Sequence, residues 1–294
     1  MGSEVDGVRE TVGVAGNGVV RRDSVVMTDD GVALAVASWG FDKPGLLMVH
    51  GFGGAKEDFA DHAPSLAEHF TVVTFDHRGH GSSDKPDALE AYSFERLRTD
   101  TLAVADAFGF DTFVLLGHSM GGMIVRGIAI DHPQRLRALI MMDTTAGPVP
   151  GFAPDLMNAA AQIALDEGKD VLKKLLDEVA PLETEPHLRT LRERPDYAAI
   201  NDKKWNDLSV MMWASLGRAI GSQSDDLNAM RTLTMPVLVM VGDADTPFIE
   251  PSKAMTAAIP NAQLAVIDNA GHSPQYESPL AWNTAIDAFL AELM

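Results

Sequence analysis

Short apolar runs, each stopped by glycine, aspartate or a turn, recur along the 294-residue chain. LLMVH (46–50), TVVTFD (71–76), TFVLLG (112–117), LRALIMMD (136–143), MPVLVMVGD (235–243) and AQLAVID (262–268) show little polar alternation. Runs of this length without alternation indicate strands buried on both faces, as in a parallel sheet. Ahead of them, SVVMTDDGVALAVASWG reads as a hairpin, two β-prone stretches joined at Asp29-Asp30-Gly31. Between the runs the period becomes helical. Phe94, Leu97, Thr101, Leu102, Val104, Ala105 and Phe108 follow a repeat close to 3.6. Residues 120–132, ended by Pro133, and 279–293 read as further helices. Strands alternating with helices predict an α/β fold, with a mostly parallel central sheet and helices on both faces.

One stretch breaks the alternation. Residues 147–231 contain no convincing strand; they are helix-prone, as in AAAQIALDEGKDVLKKLLDEV, and punctuated by Pro181, Pro186 and Pro195. They read as a helical cap inserted after the sixth predicted strand. The expected organisation is an N-terminal extension of little periodicity (1–20), the first part of a core domain (21–146), the cap (147–231) and the rest of the core (232–294).

Composition narrows the function classes. With 46% hydrophobic and 22% charged residues, the chain can bury a sizeable core. A net charge of −19 weighs against nucleic acid, whose phosphates select basic surfaces, and against polybasic membrane contact. No apolar run is long enough to span a bilayer. The start, MGSEVDGVRE, has no apolar leader segment, and Asp6 breaks the myristoylation pattern, so a cytoplasmic location is expected. The chain has no cysteine, which excludes disulfides, thiolate catalysis and cysteine metal sites.

The run ending at Gly117 meets a helix pattern through Gly117-His118-Ser119-Met120-Gly121, the strand–turn–helix context of a G-x-S-x-G elbow. There the serine hydroxyl points outward from a strained backbone, and glycine at 117 and 121 avoids collisions. The backbone N–H of Met120, opening the helix, would face a developing oxyanion. A serine needs a base to become a nucleophile. His272 follows the last predicted strand, which places it at the carboxyl end of the sheet beside the elbow. His118 packs inside the elbow, His50 supports a loop, and His77 and His80 belong to a turn rather than a metal site. The orienting acid is Asp245, just past the 235–241 strand; Asp143, at the tip of the strand before the cap, is the second choice, and Asp243 a decoy. The expected order is Ser119, Asp245, His272.

The motifs VHGFGG (49–54), FDHRGHGSSD (75–84), GHSMGG (117–122), GDADTP (242–247) and GHSPQYESP (271–279) together resemble the capped, esterase-like α/β-hydrolases over roughly residues 20–294. The resemblance implies that Phe52 supplies a second oxyanion N–H. It also implies that Asp76, Arg78 and Ser82 build a structural turn, and that the family's acid falls on Asp245. Dehalogenases and epoxide hydrolases on this scaffold place Asp at the elbow, where this chain has Ser119, and Gly53 stands where epoxide hydrolases carry proline. Haloperoxidases usually have Trp at the position of Phe52. His118 and Met120 depart from the iminopeptidase elbow, and His118 departs from the GNSMGG of C–C hydrolases.

The resulting expectation is a serine hydrolase of small to medium carboxylic esters with apolar acyl or alcohol groups, acting through an acyl-serine without metal or organic cofactor. Lactone or C–C bond hydrolysis on the same residues is the alternative; a hydroxynitrile-lyase-like enzyme or a ligand receptor stands further off. Phe52, Met120, Trp213 and Phe248 are the expected pocket residues. The partner is a small-molecule substrate, and the sequence leaves the oligomeric state open.

Overall fold

Strands without polar alternation require cover on both faces, and the computed structural model supplies it; it describes residues 11–14, 19–179 and 182–293. Nine strands form one sheet: β1 (Thr11–Val14), β2 (Val20–Met27), β3 (Ala33–Trp39), β4 (Gly45–Val49), β5 (Thr71–Phe75), β6 (Phe113–His118), β7 (Leu136–Met142), β8 (Val237–Gly242) and β9 (Ala262–Ile267). Their spatial order is β1-β2-β3-β5-β4-β6-β7-β8-β9. The pairs from β1 to β3, and β3 with β5, are antiparallel; every later pair is parallel.

Within the central strands successive side chains serve opposite cores. Leu47, Val49 and Leu115 join one apolar cluster, with Ile124 and Val125. Leu46, Met48 and Leu116 join the other, with Trp282 and Phe289. Both clusters are buried, which is why the sequence shows runs rather than alternation.

The helices are α1 (Ala63–Leu66), α2 (Phe94–Ala107), α3 (Met120–Asp131), α4 (Pro154–Glu167), α5 (Lys169–Val179), α6 (Glu185–Glu193), α7 (Pro195–Asn206), α8 (Val210–Gly221), α9 (Leu227–Met230), α10 (Thr246–Ala258), α11 (Pro274–Glu277) and α12 (Pro279–Ala291). Their starts follow local chemistry. Ser93 caps α2 by accepting from the Arg96 N–H, and Ser209 caps α8 through Met212. Pro186 and Pro195 sit in the first turns of α6 and α7, where a missing N–H costs nothing; Pro181 lies outside the described residues.

One feature goes beyond the sequence expectation. Thr11–Val14, inside the segment read as an unpatterned extension, is a strand paired with Val20–Asp23; the rest of residues 1–18 lies outside the described residues. The helices α4 to α8 therefore follow the seventh strand, which is the sixth of those predicted. No strand interrupts 147–231 among the described residues. No described helix is long and apolar enough to cross a membrane.

The sheet order positions the site. From β4 the chain goes first to β5 on one side and then to β6 on the other, so a crevice opens outside the carboxyl ends of β4 and β6. The 50–54 loop and the β6–α3 corner both lie there.

Candidate active site

At the end of β6 the chain reverses into α3 through Ser119, whose backbone is at φ 54, ψ −118, a region non-glycine residues rarely occupy. The turn is this tight because its neighbours have no side chain. A Cβ on Gly117 would run into the Gly121 carbonyl, and one on Gly121 into the Val49 carbonyl of β4. The Ser119 N–H donates to the Met142 carbonyl at 2.9 Å, and Thr144 Oγ1 donates to the Ser119 carbonyl at 2.7 Å. The serine is thus held from β7 as well as from its own strand.

His272 Nε2 lies 2.9 Å from Ser119 Oγ, and His272 Nδ1 lies 2.8 Å from Asp245 Oδ2. Asp245 is buried at 1% exposure, and no hydrogen-bonding geometry links Asp143 or Asp243 to the ring. With Asp245 as acceptor, Nδ1 carries the proton and Nε2 is free to accept from the serine. The Phe248 ring packs against the imidazole, tilted by 32° with the centroids 4.9 Å apart.

Several hydrogen bonds fasten the loop bearing His272. His118 Nε2 donates to the His272 carbonyl at 2.6 Å. Glu277 accepts the N–H of Gly271 through Oε2 and that of Ser273 through Oε1, the second at 3.2 Å. Ala270 N–H donates to Asp243 Oδ1 at 3.1 Å. Burial drives the His118 ring down to about 4, so it is neutral and serves as a donor. His118, expected only to pack, therefore fixes the histidine loop, and Asp243 has a structural task. Glu277 was not singled out in the sequence; its signal was the acid six residues after Gly271 in GHSPQYESP.

Met120 is the first residue of α3, so its N–H has no intrahelical acceptor. Phe52 follows Gly51, whose Cβ position would be 3.0 Å from Ser119 Cβ. Gly51 therefore lies against the elbow, and Gly51, Phe52 and Ser119 line the same cavity. The His cluster stiffens this loop from below. His50 donates to the Gly51 carbonyl at 2.8 Å and accepts the His77 N–H at 3.0 Å, while His80 Nε2 accepts the Gly53 N–H at 3.3 Å. Asp76 accepts from Lys56 Nζ at 2.8 Å and from the Ser82 N–H at 2.9 Å. Arg78 forms a fork on Asp100, at 2.6 and 2.8 Å. These groups shape the turn and do not touch the serine.

Ser119 and His272 open into a cavity of ≈ 730 Å³ between the sheet and α4 to α8. Phe52, Trp213 and Phe248 line it, with the Phe52 and Trp213 rings 5.5 Å apart. Met120 does not. Its side chain is fully buried in the core cluster, because the first side chain of α3 points back under the elbow. Met123, one turn on, takes the pocket position. A polar corner went unseen in the sequence: Lys204 of α7 bonds Asp58 at 2.7 Å, and both line the cavity.

Residues 44–279 match the family described as the alpha/beta hydrolase fold, and the chain belongs to that family. It is 28% identical over 263 residues to 2-hydroxymuconate semialdehyde hydrolase of Pseudomonas putida, spanning 84% of this chain and 86% of that protein. It is 26% identical over 269 residues to 3-oxoadipate enol-lactonase 2 of Acinetobacter baylyi, spanning 90% and 95%. Among solved structures it is similar to a thermophilic esterase from Thermogutta terrifontis, with TM-score 0.79, 25% identity and 98% and 99% of the two chains covered.

Proposed function

We propose that the protein is a serine hydrolase of uncharged carboxylic esters of small to medium size, in which Ser119 is the nucleophile, His272 the base and Asp245 the orienting acid. The observation that carries this reading is the continuous chain of contacts from Ser119 Oγ to His272 at 2.9 Å and from His272 to Asp245 at 2.8 Å, at the floor of the cavity. In acylation, Oγ attacks the ester carbonyl while His272 Nε2 takes its proton. The N–H groups of Phe52 and Met120 hold the developing O⁻, each worth about 3 kcal/mol. The proton passes from Nε2 to the departing alcohol. Water, deprotonated by the same nitrogen, then releases the acid and restores Ser119.

The helices between β7 and β8 act as a cap over a core formed by 21–146 and 232–294. A cavity of ≈ 730 Å³ lies inside the roughly 300–1,000 Å³ range of small-molecule sites. Phe152, Leu156, Met157, Leu176 and Ile220 give it an apolar wall suited to an acyl or alkyl chain. The described lining residues include three acids, Asp58, Asp177 and Glu183, and one Lys or Arg, Lys204, a balance that disfavours anionic substrates. Lactone hydrolysis is the second reading, favoured by the likeness to an enol-lactonase over 90% of the chain.

The test is a panel of p-nitrophenyl esters of graded acyl length, with simple lactones, run on wild type and Ser119→Ala. Removal of the nucleophile is expected to lower kcat by about three orders of magnitude or more, with the circular dichroism spectrum unchanged. Ester turnover retained in a folded Ser119→Ala protein refutes the assignment.

A further inference from the structure

Asp143 has no part in the chemistry above, yet it occupies an unusual position. It follows β7 with φ 47 and is completely buried. Its Oδ1 accepts the Gly242 N–H at the end of β8, at 2.9 Å. Its Oδ2 is equally buried and meets no donor among the described residues. One oxygen of Asp143, one oxygen of Asp245 and one ring nitrogen of His272 lie within 4.8 Å of one another. The next residue, Thr144, already holds the Ser119 carbonyl. The segment after β7 therefore reaches both ends of the Ser119–His272–Asp245 array.

Two ionised carboxylates cannot share so dry a space cheaply, and one of them keeps a proton. Asp245 has the imidazole N–H to stabilise its charge. Asp143 has only a backbone amide, and the groups facing it include the acids Asp245 and Glu277. Its burial and the charge of Asp245 push the Asp143 carboxyl well above the usual carboxylate range.

We propose that Asp143 is a positioning residue whose Oδ2–H hydrogen-bonds Asp245 and holds that carboxylate against His272. The array then has four members, the outermost a neutral carboxylic acid acting through Asp245 alone. This inference rests on Ser119, His272 and Asp245 being the catalytic set.

The experiment compares Asp143→Asn, Asp143→Ala and Ser119→Ala with wild type, measuring kcat and the pH profile of kcat/KM on a p-nitrophenyl ester, with circular dichroism as the check on folding. Asparagine preserves both contacts: its carbonyl oxygen accepts from Gly242 and its NH₂ donates to Asp245. It is expected to keep kcat within about threefold and the acidic limb of the profile within about 0.3 unit. Alanine leaves Asp245 unsupported, and kcat is expected to fall about tenfold or more. The limb should also move to higher pH, because an uncompensated Asp245 holds the imidazolium proton more tightly.

Wild-type kcat and limb in Asp143→Ala overturn the proposal. So does a limb in Asp143→Asn lowered by about one unit, since that reveals an ionised Asp143 in the native site. The asparagine result stands even if the alanine variant fails to fold. Turnover surviving in Ser119→Ala instead overturns the catalytic reading beneath the proposal.

Discussion

Replacing Glu277 by alanine separates the support of the catalytic loop from the chemistry. The Glu277 side chain is 1% exposed, and its two oxygens accept the N–H groups of Gly271 and Ser273, the residues on either side of His272. Alanine orphans both donors. A buried donor left unpaired costs about 1–3 kcal/mol, so the pair costs roughly 2–6 kcal/mol, nearer the low end if water enters the space. At roughly 2–4 °C per kcal/mol for a chain of this size, the low end, about 2 kcal/mol, corresponds to a drop in melting midpoint of about 4–8 °C, and a larger cost to a larger drop.

The loop should survive, because the Ala244 and Ala270 amides and His118 still fasten it. Its looser imidazole should lower kcat by about 30- to 100-fold, since a 1 Å misplacement costs up to about 10²-fold. KM should change little if the substrate contacts lie in the cavity wall. Steady-state hydrolysis of p-nitrophenyl butyrate and differential scanning fluorimetry measure the two effects. A lower midpoint with wild-type kcat would show that Glu277 only stabilises the fold; an unchanged midpoint would show that the two hydrogen bonds contribute nothing.

Gly121→Ala drives a methyl group into the Val49 carbonyl and to 2.7 Å from that of His50. Urea unfolding should show a loss of about 3 kcal/mol, and a loss below about 0.5 kcal/mol would refute the steric account. Acid should destabilise the protein between pH 6.5 and about 4 through its buried histidines. Burial holds His80 and His118 neutral down to about 4, against an ordinary 6.5, and lowers His50 and His77 in the same direction. Between those values the unfolded chain binds protons the folded chain excludes, so stability is complete above 6.5 and declines as pH falls toward 4. From pH 7 to pH 5, His80 and His118 each remove about 2 kcal/mol, partly offset by Asp143, whose raised value favours the folded state on acidification. A melting midpoint that stays level or rises over that interval would contradict this.

Most of the sheet was legible because burial on both faces imposes an unmistakable apolar run, as at Leu46–Val49 and Val237–Val241. Thr11–Val14 was not: it is four residues long, contains glycine, and owes its pairing to β2. The Ser119 corner could be read because its backbone demands glycine at fixed offsets. The choice of Asp245 over Asp143 was harder, since both end neighbouring strands and only side-chain direction decides which meets the ring. The pocket was least legible. Met120 adjoins Ser119 in sequence, but helix geometry turns it inward, whereas the Lys204–Asp58 contact joins residues 146 apart. Such a meeting follows from tertiary packing and leaves no local pattern.

The helices over the cavity leave the sheet after β7 and return at β8, and these strands pair directly, Leu139 with Val237 and Met142 with Met240. Whatever is threaded between them begins and ends at one fixed doorway, and lengthening the detour adds little entropic penalty, growing only with the logarithm of its length. The proposed reactive groups, Ser119, Asp245 and His272, come from segments outside the detour. The scaffold therefore permits the roof to be rewritten, by recombination or by design, while the machinery beneath keeps its geometry; what the protein accepts and what it does to it can change at separate rates.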